Sequence, residues 1–333
     1  MGTQTREIPS EELRAVLQHI LPSEHGRIVG LTRVRSAHAA TSALEELHLA
    51  FSDGTHLHLM FKDLSHNLWP DGDIADPELD PAREIRMYEQ VLGRVDFGTP
   101  RFYGGVAGDD HGRCWLFVEE VQGRRLDRVK DIGAWTAAAR WLATMHCRLQ
   151  PLLPQVQTDL GLPVYDGAYF RRLVARALGH MQRVRGCNDD LVHRFETLAE
   201  RCHAPFAELA RLARTLIHGD FHSRNIIIGA DAAALRICVI DWEKAAEAPG
   251  LLDLATLVAK SRTPEEGLVL AHAYYEEMTS SAPGYLAGPD FFRLLEICRV
   301  WVHLRRMTSH ERWLTEESWL KNSVGEIQQL CAQ

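Results

Sequence analysis

One short polar loop contains the residue types that phosphoryl transfer requires. Its sequence, His218-Gly-Asp-Phe-His-Ser-Arg-Asn225, places Asp220 and Asn225 five positions apart, directly before the apolar run Ile226-Ile-Ile228. A carboxylate in such a loop can orient an attacking hydroxyl, and a downstream asparagine can hold a magnesium ion. A second apolar run then ends at Asp241, whose carboxylate suits the main metal ligand. The spacing therefore predicts a catalytic loop and a metal site on two neighbouring strands.

Three other polar residues of this loop have less definite roles. We interpret His218 as packing inward and bracing the loop backbone, and His222 as a surface residue. The guanidinium of Arg224 could neutralise the transferring phosphate or orient Asp220, which would make it catalytic. A purely structural salt bridge is the alternative for Arg224.

Two acidic residues follow Asp241 in the sequence. Glu243 is near enough to reach a second metal ion or its bound water, and it could equally cap the following turn. Asp253 precedes an apolar helical run. We expect Asp253 to accept backbone hydrogen bonds from the catalytic loop rather than to react, because a buried carboxylate requires such donors.

The elements that position this loop begin with a strand-rich N-terminal third. An amphipathic helix opened by Ser10 comes first, and Asp53-Gly54 is a strong hairpin signal. Strand patterns occur near residues 27–34, 44–51 and 55–62. In the third strand, the two-residue alternation places Lys62 on the face opposite Leu59 and Phe61.

The next helix supplies a partner for that lysine. Asp80-Pro81 is a capping pair, and Glu84 follows on the same helical stripe as the apolar Tyr88. A carboxylate on an inward-facing stripe is costly unless it is paired. We therefore predict an ion pair between Lys62 and Glu84 that holds the lysine against nucleotide phosphates. Glu89 lies off the stripe and is expected to face water.

Two other segments are predicted to contact the nucleotide. The turn at 34–42 has no glycine, but its backbone amides and the hydroxyls of Ser36 and Thr41 could approach a phosphate. Further on, an apolar strand runs into a polar segment. There, the backbone groups from Glu119 to Val121 could hydrogen-bond the edge of adenine or guanine.

Amphipathic helices dominate the rest of the chain. They cover roughly residues 131–149, 165–185, 189–212, 251–260, 264–280 and 290–328. The fold class is therefore predicted to be α+β and bilobal. Residues 1–118 form a small antiparallel-sheet, nucleotide-binding lobe, residues 119–125 a hinge, and residues 126–333 a larger helical lobe with the catalytic loop and the acceptor pocket.

Three motifs together resemble one known family. The loop His218–Asn225, the run Val239-Ile-Asp-Trp-Glu243 and the run Leu252-Asp-Leu-Ala255 resemble the aminoglycoside phosphotransferase and choline kinase family. The resemblance implies a protein-kinase-like fold. It also implies transfer of the γ-phosphoryl group of ATP or GTP, with Mg²⁺, to a hydroxyl of a small molecule.

The resemblance also implies roles for individual residues. By motif position, Asp220 matches the catalytic base, and Asn225 and Asp241 match the metal ligands. Lys62 matches the phosphate-binding lysine and Glu84 its partner. The glycine-rich phosphate loop of protein kinases is absent from the sequence, which leaves that part of the nucleotide site undefined.

The sequence favours a small acceptor over a protein. Only a short stretch separates Asp241 from the helix at Leu251, so there is no room for a phosphorylatable activation loop. The net charge of −8 gives no basic footprint for nucleic acid, and no apolar run is long enough for a membrane span or signal peptide. We expect a cytoplasmic monomer or homodimer with reduced thiols.

The identity of the acceptor stays open. From Glu247 to the end, twelve acidic residues face eight basic ones, which is mildly favourable to a cationic acceptor. The acidic segment 71–80 could likewise attract a cation or simply be a solvated loop. Trp301, Trp313 and Trp319 could stack on a sugar, nucleoside or choline-like cation, although aromatics at helical spacing usually pack in the core.

Three functions fit these observations. The first is a kinase that phosphorylates an antibiotic, whether aminoglycoside-like, nucleoside or peptide, and thereby confers resistance. The second is a metabolic kinase of a choline-, sugar- or amino-acid-like compound. The third, a catalytically silent nucleotide-binding protein, is disfavoured because the lysine, its glutamate, the base and both metal ligands are all present.

Overall fold

The computed structural model describes most of the chain. The described residues are 8–22, 26–36, 43–65, 80–231, 234–282, 284 and 286–331. The predicted phosphate contact Thr41 and all of the acidic segment except Asp80 lie outside them. None of the helices in these ranges is long and apolar enough to cross a membrane.

A five-stranded antiparallel sheet with two helices forms the small lobe. Its elements are α1 (Ser10–Ile20), β1 (Ile28–Arg35), β2 (Ala43–Phe51), β3 (His56–Asp63), α2 (Arg83–Gln90), β4 (Phe102–Ala107) and β5 (Cys114–Glu119). The strand order is β1-β2-β3-β5-β4. The three predicted strands are thus confirmed to within one or two residues, and the helix opened by Ser10 is present.

The two faces of this sheet pack against different partners. Leu59, Phe61 and Phe117 are buried on the face covered by α1. The opposite face packs against α2, and Leu116 of β5 joins the large core of the other lobe there. The alternation in β3 therefore directs Lys62 away from the α1 side, as predicted from the sequence.

The helix α2 begins slightly later than its capping pair suggests. The Asp80 carboxylate accepts a hydrogen bond from the Ala82 N–H at 3.0 Å, but residues 81–82 form a turn and the helix starts at Arg83. Asp80 therefore caps the turn that leads into α2. Glu89 is exposed, as expected, whereas Glu84 is buried.

The larger lobe is mainly helical. Its elements are β6 (Arg124–Arg125), α3 (Ile132–Leu149), α4 (Leu153–Leu160), α5 (Gly167–Arg183), α6 (Asp189–Ala199), α7 (His203–Leu209), β7 (Thr215–Ile217), β8 (Ile226–Asp231), β9 (Ala234–Val239), β10 (Ala246–Ala248), α8 (Leu251–Val258), α9 (Pro264–Ser281), α10 (Gly288–Met307), α11 (Arg312–Thr315) and α12 (Glu317–Leu330). Two small sheets, β6-β8-β9 and β10-β7, hold the catalytic segment among these helices.

Two of the predicted helices are interrupted. The segment 189–212 divides into α6 and α7, where backbone bonds such as Arg201 N–H to Leu198 O tighten the chain. The segment 290–328 divides into α10, α11 and α12. The hydroxyls of Thr308 and Ser309 donate to carbonyls of the last turn of α10, and such local bonds compete with helix continuation.

Candidate active site

The polar loop joins β7 to β8, and one glycine lets it pass close to a neighbouring backbone. Gly219 has a φ of +78°, and a Cβ atom placed there would lie 2.0 Å from the carbonyl oxygen of Lys244. Only glycine satisfies both conditions without displacement. The loop ends in a short 3₁₀ turn at Ser223–Asn225, which leads directly into β8.

Asp253 at the start of α8 fixes the first half of the loop. This fully buried carboxylate accepts hydrogen bonds from the backbone N–H groups of His218 and Gly219, at 2.7 and 2.9 Å. The ring of His146 lies 3.3 Å from the same carboxylate. The His218 ring is also buried, and its Nε2 lies 2.9 Å from the carbonyl oxygen of Ile240. Both residues thus brace the loop, as the sequence suggested.

Replacing Asp253 with asparagine should destabilise the protein strongly. The free energy of unfolding is expected to fall by about 2–4 kcal/mol, because one amide oxygen cannot accept both backbone donors and the new NH₂ group faces one of them. Urea unfolding measures this loss. Asp290→Asn, at the exposed start of α10, is the matched control and should have little effect. Equal unfolding midpoints for the two variants would contradict the bracing role.

Asp220 lies among basic side chains. Its Oδ2 is 3.1 Å from Lys244 Nζ and 3.9 Å from His222 Nε2, and its side chain remains about a quarter exposed. Burial favours the neutral acid, but Lys244, His222 and Arg305 outweigh it and hold the pKa of Asp220 below its ordinary value. The side-chain amide of Asn225 donates to the Asp220 carbonyl at 3.1 Å. Asp220 is therefore an ionised carboxylate on a fixed backbone.

Lys62 lies at the centre of a second charged group. Its Nζ is 2.6 Å from Glu84 Oε2, which is the ion pair predicted from the sequence, and 2.5 Å from Asp241 Oδ1. Burial opposes the charge of Lys62, but Asp241 and Glu84 outweigh it and raise its pKa well above the ordinary value. The other Glu84 oxygen accepts the backbone N–H of Trp242 at 3.2 Å. Glu84 thus connects α2 with the segment that follows β9.

The backbone at Asp241 is unusual. Its φ of 72° and ψ of 61° lie in the left-handed region, and no other non-glycine residue in the described ranges has a positive φ. Such a conformation costs about 1–3 kcal/mol and is concentrated at functional sites. It turns the chain after β9, so that Glu243 also comes within 4.0 Å of Lys62. The buried Arg83 donates to the Glu243 carbonyl at 2.9 Å and fixes this turn.

The oxygen atoms around this turn fit a magnesium ion. Asn225, Asp241 and Glu243 offer one amide and two carboxylate groups, which are the hard oxygen ligands that Mg²⁺ prefers. No donor among the described residues binds the side-chain oxygen of Asn225. Burial and the nearby Asp241 raise the pKa of Glu243 to about 7. This crowding of carboxylates is what a bound cation would relieve.

The other predicted nucleotide contacts are less clearly arranged. Ser36 is buried, and its backbone N–H donates to the Leu44 carbonyl at 2.9 Å, so that amide is already used. At the hinge, Arg236 binds both carboxylate oxygens of Glu119, at 2.6 and 2.8 Å. The Glu119 backbone N–H also donates to the Arg101 carbonyl at 2.8 Å, so neither this amide nor the Glu119 carboxylate is open to a base. The assignments of Ser36, Glu119 and Val121 stay predictions.

Arg224 points outward from the loop. Its side chain is 72% exposed, and its Nε lies 3.9 Å from Asp127 Oδ2. An ion pair this exposed contributes little to stability. The catalytic role of Arg224 and the structural alternative both stay predictions.

Sequence reasoning missed two cations that act on Asp220. Lys244 is the only basic residue between Asp241 and Leu251, and that isolation beside two acidic residues was an available signal. Arg305 comes from the last turn of α10, where its Nη1 lies 3.2 Å from the Tyr165 hydroxyl. Nothing in the local sequence connects Arg305 with the loop.

A small antiparallel-sheet lobe, a helical lobe and this charged loop between them define a kinase-like fold, which confirms the predicted fold class. The chain belongs to the phosphotransferase enzyme family known as APH, whose family model matches residues 70–288. No curated protein matches the sequence.

Solved structures show the same fold at low sequence identity. The GDP and kanamycin complex of APH(2″)-IIIa has a TM-score of 0.57 and 13% identity, covering 96% of this chain and 98% of that one. Choline kinase from Cryptosporidium parvum Iowa II has a TM-score of 0.59 and 10% identity, covering 97% and 95%. Macrolide 2′-phosphotransferase MphH from Brachybacterium faecium has a TM-score of 0.55 and 16% identity, covering 94% and 97%.

Proposed function

We propose that this protein is a kinase of a small hydroxyl compound, with ATP or GTP as phosphoryl donor. The observation that carries the proposal is the contact between Lys62 and Asp241, which are 179 positions apart in the chain. That contact joins the predicted phosphate-binding pair, Lys62 and Glu84, to the predicted metal ligand. Asp220 lies close enough to Asp241 for the two carboxylates to interact.

Each of these residues would have its own role in the phosphoryl transfer. The acceptor hydroxyl attacks the γ-phosphorus, its proton passes to the Asp220 carboxylate, and the bond from that phosphorus to the bridging oxygen breaks to release the nucleoside diphosphate. Lys62, held by Glu84, would contact the phosphates, and Lys244 keeps Asp220 ionised. Asn225, Asp241 and Glu243 would hold Mg²⁺, which neutralises phosphate charge when bound.

Family membership and the named relatives support a small-molecule acceptor. The similar structures include an enzyme bound to GDP and kanamycin, a choline kinase and a macrolide phosphotransferase. They span cationic antibiotics and a metabolite, so antibiotic resistance and primary metabolism both remain within the proposal. The choice between ATP and GTP is part of the test.

The direct test has two stages. A thermal shift with ATP or GTP should depend on Mg²⁺, because oxygen ligands of the metal and phosphates share one site. A screen of hydroxylated acceptors should then release nucleoside diphosphate with at least one of them. Binding of nucleotide without turnover on any acceptor would favour the silent, nucleotide-binding alternative. Failure to bind either nucleotide would contradict the proposed function itself.

A further inference from the structure

Three cations of the helical lobe lie close to one another. We use the term basic cluster for Lys260, which follows α8, Arg306 in the last turn of α10, and Arg312 at the start of α11. The guanidinium groups of both arginines lie over the Trp313 ring, at 6.0 and 4.6 Å from its centroid. The C-terminal helices therefore gather positive charge at one place.

These cations have no carboxylate partners among the residues that the structure describes. Their neighbours in sequence do: Arg262 pairs with Glu266, Arg293 with Glu208, and Arg299 with Glu296 and Glu326. Like charges placed together without counterions destabilise a fold. The pKa of Lys260 is accordingly lowered, by burial first and then by Arg306, Arg224 and Arg312. The basic cluster is thus an uncompensated positive surface.

Two members of the basic cluster lie within electrostatic range of the catalytic carboxylate. Both Lys260 and Arg306 interact electrostatically with Asp220. Asp220 already has Lys244 at 3.1 Å, so it cannot neutralise the cluster as well. Glu326 also attracts Arg306, but its carboxylate is bound to Arg299 at 2.7 Å.

The cluster is separate from the groups assigned to the nucleotide. Lys62 and Glu84 come from the small lobe, and Asp241 follows β9, whereas the basic cluster comes from α10, α11 and the turn after α8. In an in-line transfer the acceptor hydroxyl approaches the γ-phosphorus from the side opposite the leaving nucleoside diphosphate, with Asp220 next to that hydroxyl. The cluster is therefore placed to contact the acceptor.

We propose that the acceptor is a hydroxyl compound carrying a carboxylate or phosphate group, which the basic cluster binds while Asp220 receives the hydroxyl proton. This inference rests on the proposed kinase function and specifies its substrate class. Guanidinium and ammonium groups form strong charge-assisted bonds to such anions, and a cleft of one sign concentrates ligands of the other. A cationic acceptor would meet three like charges next to the reacting hydroxyl, which disfavours it.

Binding to the complete protein can test this charge preference. The protein is first saturated with Mg²⁺ and a non-hydrolysable ATP or GTP analogue, whichever nucleotide stabilises it, so that the nucleotide phosphate site is filled. Calorimetry then compares four small hydroxyl probes: glycerol 3-phosphate, glycerate, neutral glycerol and cationic choline. We expect one or both anionic probes to bind at least about tenfold more tightly than glycerol and choline. The two anionic probes separate a phosphate from a carboxylate preference.

Two variants and a control locate the binding. Lys260→Met and Arg306→Gln should each weaken binding of the preferred anion by about tenfold, since each removes one charge-assisted contact. Lys321→Met removes an exposed lysine on α12 and should not change it. The thermal shift produced by the nucleotide should be the same in all three proteins, which shows that they are folded.

Three outcomes would overturn the inference. In the first, choline or glycerol binds as tightly as the anionic probes. In the second, neither anionic probe binds at millimolar concentration. In the third, the wild type and both cluster variants bind the anion equally well. Each can occur while nucleotide binding is intact, and then only the substrate class is wrong. Loss of nucleotide binding by the wild-type protein would instead count against the proposed function.

Discussion

Asp220→Asn is expected to lower kcat by about 10²–10⁴-fold, the usual contribution of a positioned general base. The amide has nearly the shape of the carboxylate but cannot take the hydroxyl proton, and it no longer offers Lys244 a charged partner at 3.1 Å. Nucleotide affinity should change little, because Lys62 and Glu84 remain in place. The loss should therefore appear in turnover rather than in nucleotide binding.

Two measurements separate these effects. Release of nucleoside diphosphate with a working acceptor gives kcat, and a thermal shift with Mg²⁺ and nucleotide reports binding. The exposed Asp290→Asn serves as the matched control and should keep both values. Near-normal turnover of Asp220→Asn would remove this residue from the role of base. A parallel loss of turnover and nucleotide binding would indicate a disturbed loop instead.

Lys62→Met is expected to affect stability as well as activity. The substitution puts an apolar side chain in place of the ammonium group that Glu84, Asp241 and Glu243 surround. Removal of one partner from a buried ion pair costs about 3–5 kcal/mol, because the remaining charge loses its compensation. We expect a loss of this size in the free energy of unfolding without Mg²⁺, together with weaker nucleotide binding.

Magnesium should restore part of this stability. The lysine holds Asp241 at 2.5 Å, and without it the carboxylates of Asp241 and Glu243 are open to a divalent cation. Urea unfolding with and without Mg²⁺ should therefore show a larger increase for Lys62→Met than for the wild type. Lys321→Met controls for loss of a lysine from the surface. An unchanged midpoint for Lys62→Met, or an equal magnesium effect in both proteins, would contradict this account.

Local patterns in the sequence predicted much of the site. The alternation of apolar and polar residues in β3 and the apolar stripe on α2 were enough to propose the ion pair between Lys62 and Glu84. The direction of each side chain follows from the residue repeat of its strand or helix. The loop from His218 to Asn225 could be proposed as a catalytic loop because its residues are contiguous in the sequence. The inward position of His218 and the bracing by Asp253 also follow from chemistry, as buried loop amides need acceptors.

Other features depend on tertiary contacts that no local pattern shows. Arg305 reaches Asp220 from a helix 85 positions away in the chain. The interruption of the last predicted helix at Thr308 depends on hydroxyls bonding backward, which propensity alone does not reveal. The left-handed backbone of Asp241 is stabilised by its surroundings, including the Lys62 ammonium, rather than by residue type.

The charge of the C-terminal region is a further feature that depends on how the side chains are arranged and not on composition alone. Its excess of acidic residues is mildly favourable to a cationic acceptor, although the sequence leaves the acceptor open. In the structure, carboxylates of this region such as Glu266 and Glu296 are paired with arginines. The basic residues Lys260 and Arg306 are left near Asp220. The net charge of the region is therefore a poor guide to the charge of its acceptor, because acceptor binding depends on the electrostatic field near Asp220.

The large core crosses the boundary at which the small lobe was predicted to end. Ile85 and Tyr88 of α2 and Leu116 of β5 pack in the same cluster as the helices of the C-terminal lobe. A chain cut near residue 118 would expose this apolar surface on both fragments, and it would also separate Glu84 from Trp242. Neither fragment is then a sensible unit for expression, and we expect the two lobes to melt together as one cooperative body.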